Sequence, residues 1–141
     1  MKLNSLGVIA ISIATLTACD RTPTPSTPTP DPMSAFTGAW HSTATGGACS
    51  SIAWSVVQTG AGTATITYVA TCAGLPITGA ANGTLNGINT LNWSANGTAA
   101  TNCAYTISGT AVPGTTASDL NVTYTGNVCG TAVSGSDTLH R

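Results

Sequence analysis

Residues 51–71 read SIAWSVVQTGAGTATITYVAT, and the fold follows from this stretch. Trp54 and Val56 precede the small connection Gly60-Ala61-Gly62, and Ile66 and Tyr68 follow it, each pair at alternate positions with Ser or Thr between. A period of two places successive side chains on opposite faces of an extended chain, so each arm is a strand with one apolar and one hydroxyl-bearing face. The Gly-Ala-Gly connection is tight-turn chemistry and folds the two arms into an antiparallel hairpin.

Working outward, the same alternation recurs in Leu91 with Trp93, in Tyr105 with Ile107, and in Leu120, Val122 and Tyr124. Turn residues cut the chain into eight runs, at 36–44, 51–59, 63–71, 77–85, 88–95, 103–111, 118–125 and 131–140, and no stretch among them keeps helical spacing. The apolar faces are expected to make the core and the Thr-rich faces to meet water. Asn86-Gly87 and Val112-Pro113-Gly114 are read as further tight turns, whereas the connections after Ala44, Thr71, Ala95 and Thr125 are read as longer. Each longer connection, or the strand end beside it, carries one of Cys49, Cys72, Cys103 and Cys129.

If consecutive strands are antiparallel neighbours, the tight turns gather at one end and the four cysteines at the other, where two disulfides staple a rim. Chain order pairs Cys49 with Cys72 and Cys103 with Cys129, one of the three pairings that four cysteines allow. Each bridge is worth about 3 kcal/mol, a large contribution to a small core poor in Leu and Phe. Eight strands in up-and-down order leave two open edges unless the first and last pair, so the expected architecture is all-β, an eight-stranded antiparallel meander closed into a barrel. The alternative is an immunoglobulin-like sandwich, which needs Greek-key crossovers that no connection here is long enough to favour.

Charge excludes more than it suggests. From Ser34 onward the only charged residues are Asp119, Asp137 and Arg141, so a nucleic-acid partner lacks its electrostatic footprint. Hydrolytic and glycosidic chemistry needs positioned acids and bases, and this supply is too thin for a catalytic assignment. Asp119 and Asp137 are read as solvated, and His41, alternate to Trp40, as facing outward. His41 and His140 lack the close spacing and third ligand of a metal site. Neither an enzyme nor a cofactor is expected.

The N-terminal residues carry a different message. Lys2 is followed by an apolar run from Leu6 to Leu16, a secretory signal over 1–18 that is too short to span a bilayer. Its end, Leu16-Thr17-Ala18-Cys19, resembles the lipobox of bacterial lipoproteins, which implies cleavage before Cys19 and diacylation of that cysteine. Acyl chains contribute about 0.8 kcal/mol per buried methylene, so two or three hold a protein on a membrane. The resemblance therefore implies a palmitate-type anchor in the bacterial cell envelope, and Asp20 resembles the inner-membrane retention signal of enterobacterial lipoproteins. Residues 22–32, TPTPSTPTPDP, read as an extended spacer of about 3.1 Å per residue, giving a lipidated linker over 19–33 and one domain over 34–141.

Within that domain Gly38-Ala39-Trp40 resembles the Gly-x-Trp signature of the calycin superfamily of lipocalin- and avidin-like barrels, and Arg141 is similar to the basic residue that packs over that Trp. The resemblance implies a barrel able to hold one small ligand. The chain departs from the family in short strands, small loops and an Ala- and Gly-rich interior, so a family ligand such as biotin or a retinoid is not carried over.

Two functions remain. The first is a non-enzymatic interaction module on a stalk, a protease inhibitor or envelope scaffold working through mouth loops near Gly46-Gly47, Gly74 and Asn127. The second is a carrier of a small apolar ligand, with Trp54, Tyr68, Trp93, Tyr105 and Tyr124 lining the mouth rather than filling the barrel.

Overall fold

A computed structural model describes residues 26–42 and 47–141. The lipobox with Cys19, Asp20, the signal segment and Gly46 lie outside the described residues. A short 3-10 turn η1 (Pro32–Ala35) precedes eight strands: β1 (Gly38–Ser42), β2 (Cys49–Gly60), β3 (Thr63–Cys72), β4 (Leu75–Asn86), β5 (Thr90–Thr98), β6 (Ala104–Pro113), β7 (Asp119–Val128) and β8 (Thr131–His140). Each strand pairs antiparallel with the next, and β1 returns to β8, so the sheet is a closed up-and-down barrel. The sandwich alternative is excluded, because no strand leaves chain order.

The alternation that suggested strands also sets the wall. Ala64, Ile66, Tyr68, Ala70 and Cys72 of β3 point inward, and so do Leu120, Val122, Tyr124 and Val128 of β7. The outer wall reads Thr, Ser and Asn, as in Thr67, Thr78, Asn92, Ser94, Thr106 and Thr123, all exposed. A lipid-spanning barrel has the opposite arrangement, apolar outside.

Strand glycines complete the packing. A Cβ on Gly97 would lie 2.6 Å from the Tyr105 hydroxyl, and one on Gly135 2.6 Å from that of Tyr124. These strands are glycine-interrupted because tyrosine rings lie against bare backbone there.

The turns differ from the sequence expectation. The connections after Thr71 and Thr125 are two-residue hairpins, Ala73-Gly74 and Cys129-Gly130, each with both residues at positive φ as a type I′ turn requires. Val112-Pro113-Gly114 is not a tight turn: β6 runs through Pro113, and residues 114–118 make a five-residue link. The sequence reading placed these ends wrongly because Asn, Gly and Thr near the turns continue the ladder, with Asn127 Oδ1 accepting from Gly130 N at 2.7 Å to hold the β7–β8 turn.

The end holding the β2–β3, β4–β5 and β6–β7 links, the lower end, is sealed. The first run, expected from 36, begins as a strand only at Gly38, and Phe36 instead turns under the barrel with Met33, both fully buried. Asp31 caps η1 by accepting from Met33 N at 2.9 Å and reaches Gln58 Nε2 at 2.7 Å. The spacer expected to extend to residue 33 therefore gives way to packed structure by Asp31. Trp40 Nε1 donates to Phe36 O at 2.7 Å. The Arg141 guanidinium stands 4.2 Å from the Trp40 ring centroid and donates to Ala35 O at 2.9 Å. A cation over an indole face contributes about 1 kcal/mol, so Gly38, Trp40 and Arg141 work as a closure of this end.

Candidate functional site

The opposite end, the rim, carries all four cysteines. Cys49 is bonded to Cys72 and Cys103 to Cys129. Cys49 and Cys72 are also register partners on β2 and β3, so that bridge is part of the inner wall and not an external strap.

Below this rim lies an apolar recess walled by Trp54, Tyr68, Trp93 and Tyr124, with Ile52, Ile77 and the Cys49–Cys72 bridge among the remaining lining. Its free volume is about 30 Å³, room for a water molecule and well below the usual range of small-molecule sites. No charged side chain lines it.

The aromatic walls are ordered by one another. Trp54 and Trp93 meet edge to face with centroids 5.1 Å apart, and Tyr68 and Tyr105 do so at 6.5 Å. Tyr105 Oη donates to Thr78 O at 3.0 Å, which uses its single proton, so in the 2.5 Å contact between the two phenols Tyr68 is the donor. Burial, and then the bond to Tyr105, push the Tyr68 phenol well above its ordinary range, which keeps it neutral. Tyr124 Oη accepts from Cys49 N at 2.9 Å and ties β7 to the rim.

One polar group is left over. Trp93 is 9% exposed, and its Nε1 is the single buried side-chain nitrogen or oxygen without a hydrogen-bond partner among the described residues. Leaving such a donor unpaired costs about 1–3 kcal/mol.

Of the five aromatics expected at the mouth, four line the recess. Tyr105 does not, because it stands behind Tyr68 and buttresses it. The lining by Cys49, Ile52, Cys72 and Ile77 was missed as a set, although each stands on the inward side of its strand. Gly74 lies in the β3–β4 turn, Asn127 braces the β7–β8 turn, and Gly47 bridges to Gly135.

The expectation that Asp137 is solvated is corrected, whereas Asp119, at the start of β7, keeps part of its surface exposed. Asp137 lies on the inward side of β8 with Val133 and Leu139, is buried, and accepts from Ser42 Oγ at 2.5 Å and Thr138 N at 2.8 Å. Asp119 accepts at 2.9 Å from His140 Nδ1, and hydrogen bonds from the Thr116 hydroxyl and His140 hold its carboxyl below the usual range. Closure of β1 on β8 also brings His41 and His140 into register, which their sequence separation concealed. Even so, no group of three or more His, Cys, Asp or Glu among the described residues is placed to hold a metal ion.

No family model and no curated protein matches the chain. Among solved structures it is similar to a redesigned beta barrel, mFAP1, bound to DFHBI, with a TM-score of 0.62 and 19% identity over 79% of this chain and 100% of that one. It is also similar to EF1p2_mFAP2b bound to DFHBI, with a TM-score of 0.61 and 18% identity over 79% of this chain and 97% of that one. At such identity the likeness is one of fold.

Proposed function

We propose that the protein is a lipid-anchored carrier of a small, mostly apolar molecule, held in the barrel below the cysteine rim. The observation that carries this reading is the asymmetry of the interior: the lower end is solidly filled, while the rim end keeps an apolar, aromatic-walled recess that opens outward. Barrels of this shape that hold a small ligand, as both similar structures do, lend it support. Two of the rim turns favour it over a protease inhibitor or scaffold, since Ala73-Gly74 and Cys129-Gly130 offer no large side chain for a partner to grip. Because the enclosed space is small, binding requires the aromatic walls to part. A carrier needs no catalytic group, and none is assigned.

The anchor in this proposal is Cys19, acylated after cleavage of residues 1–18, with the spacer leading to the lower end so that the rim faces away from the membrane. Native mass spectrometry of the oxidised protein purified from its own host tests the carrier reading. A small molecule that co-purifies and is lost on denaturation is the expected result, and a bare mass counts against it. Cys19→Ala is expected to abolish membrane fractionation, and normal fractionation overturns the anchor.

A further inference from the structure

Resting on that reading, we infer that the ligand is a neutral, flat ring compound that presents a hydrogen-bond acceptor, such as a ring nitrogen or carbonyl oxygen, to Trp93 Nε1. Among the hydroxyls at the recess, Tyr68 donates to Tyr105 and Tyr105 to Thr78 O, while Tyr124 Oη accepts from Cys49 N. The Trp93 indole nitrogen is the one buried side-chain nitrogen or oxygen with no hydrogen-bond partner among the described residues. An acceptor brought within about 3 Å of it recovers a bond that the folded chain alone leaves unmade.

Neutrality follows from what the walls lack. No Asp, Glu, Lys, Arg or His lines the recess, and Asp137, the one buried carboxylate among the described residues, is bound to Ser42 and Thr138 outside that lining. An ion taken into such a site loses hydration with no counter-charge to replace it. Flatness follows from the walls themselves, since Trp54 and Trp93 stand edge to face and a planar ring continues that packing when they separate.

Trp93 faces glycines on both sides, Gly83 on β4 and Gly109 on β6, with Leu91 and Ile66 taking up the space over Gly83 and the backbone of Thr123 and Tyr124 that beside Gly109. A site that reads one acceptor discriminates between isosteres with and without it more strongly than it discriminates by size.

The test uses bicyclic probes of nearly equal shape on the purified, oxidised full chain at neutral pH: quinoline, which offers an acceptor; naphthalene, which offers none; indole, which offers a donor; and N-methylquinolinium, which is charged. Quinoline is expected to bind about five- to tenfold more tightly than naphthalene or indole, the factor one neutral hydrogen bond supplies. It is expected to move the Trp93 indole N–H resonance of the ¹⁵N-labelled protein downfield. In Trp93→Phe the quinoline advantage should vanish while naphthalene still binds. If that variant fails to fold, the wild-type probe series and the indole resonance decide alone. Equal binding of quinoline, naphthalene and indole overturns the acceptor assignment and leaves the apolar carrier standing. Tighter binding of N-methylquinolinium overturns neutrality. Binding of none of the four overturns the carrier reading together with this inference.

Discussion

At the lower end Met33, Phe36, Trp40, Leu91, Leu120 and Leu139 are wholly buried, whereas below the rim Trp54, Tyr68 and Trp93 keep 6%, 8% and 9% of their surface exposed. Both ends use aromatic residues, and both are crossed by eight strands of the same composition. The difference lies in what closes them. Below, an added segment, η1 with Phe36, packs into the opening and Arg141 locks over Trp40. Above, two disulfides frame the rim, and the side chains beneath them leave about 30 Å³ unfilled. A barrel of this size thus separates stability from accommodation along its axis.

The largest break in that comparison should come from Trp40→Ala. Removing a fully buried indole that also anchors η1 and Arg141 is expected to cost about 3–5 kcal/mol in urea unfolding. Loss of only a few tenths would mean that the lower seal is not what stabilises the barrel. The double substitution Cys49→Ala with Cys72→Ala should cost about 3 kcal/mol and loosen the recess, seen as faster exchange of the Cys49 amide now held by Tyr124.

Ala70→Val sharpens the comparison from the other side. It adds two methyl groups to the recess wall, and is expected to cost about 1–3 kcal/mol of stability while weakening ligand binding at least tenfold. A variant that binds normally would place the ligand elsewhere.

The smallest effect is acid sensitivity at the lower end. Asp31 and Asp119 are held below their ordinary range by hydrogen bonds, from Gln58 and Met33 in one case and chiefly from Thr116 and His140 in the other. A carboxyl depressed in the folded state contributes stability that is present above its unfolded value, about 3.9, and lost as pH falls through the folded one. The Tm should therefore drop as pH falls below about 4, less steeply in Asp119→Asn, and a parallel pair of curves would show that the Asp119 bonds contribute nothing.

Much of this fold was legible in the sequence because a strand's period of two survives in every run: Trp54 with Val56 and Leu120 with Val122 announce their faces directly. Turn positions were less legible. Ala73 and Cys129 adopt positive φ although neither residue type advertises it, and their turns were therefore read as too long. Asp137 was misread because its partner Ser42 is far away in sequence and only ring closure supplies it. The four wall aromatics were legible from alternation alone. Which of them keeps an unpaired donor was not, since that depends on what stands opposite each polar atom in three dimensions.

The junction of β1 with β8 has a consequence for how the chain folds. Every other pairing joins sequence neighbours through a short link, while His41↔His140 and Ser42↔Leu139 join residues about a hundred positions apart. Loop-closure entropy makes that contact the most expensive to form first, so the hairpins are expected to zip early and the ring to shut last. Both disulfides close loops inside the zipped portion, between β2 and β3 and beside β6 and β7, and neither crosses the junction. Oxidation can therefore proceed on a still-open sheet, and the final step is a docking of one five-residue strand with its attached plug.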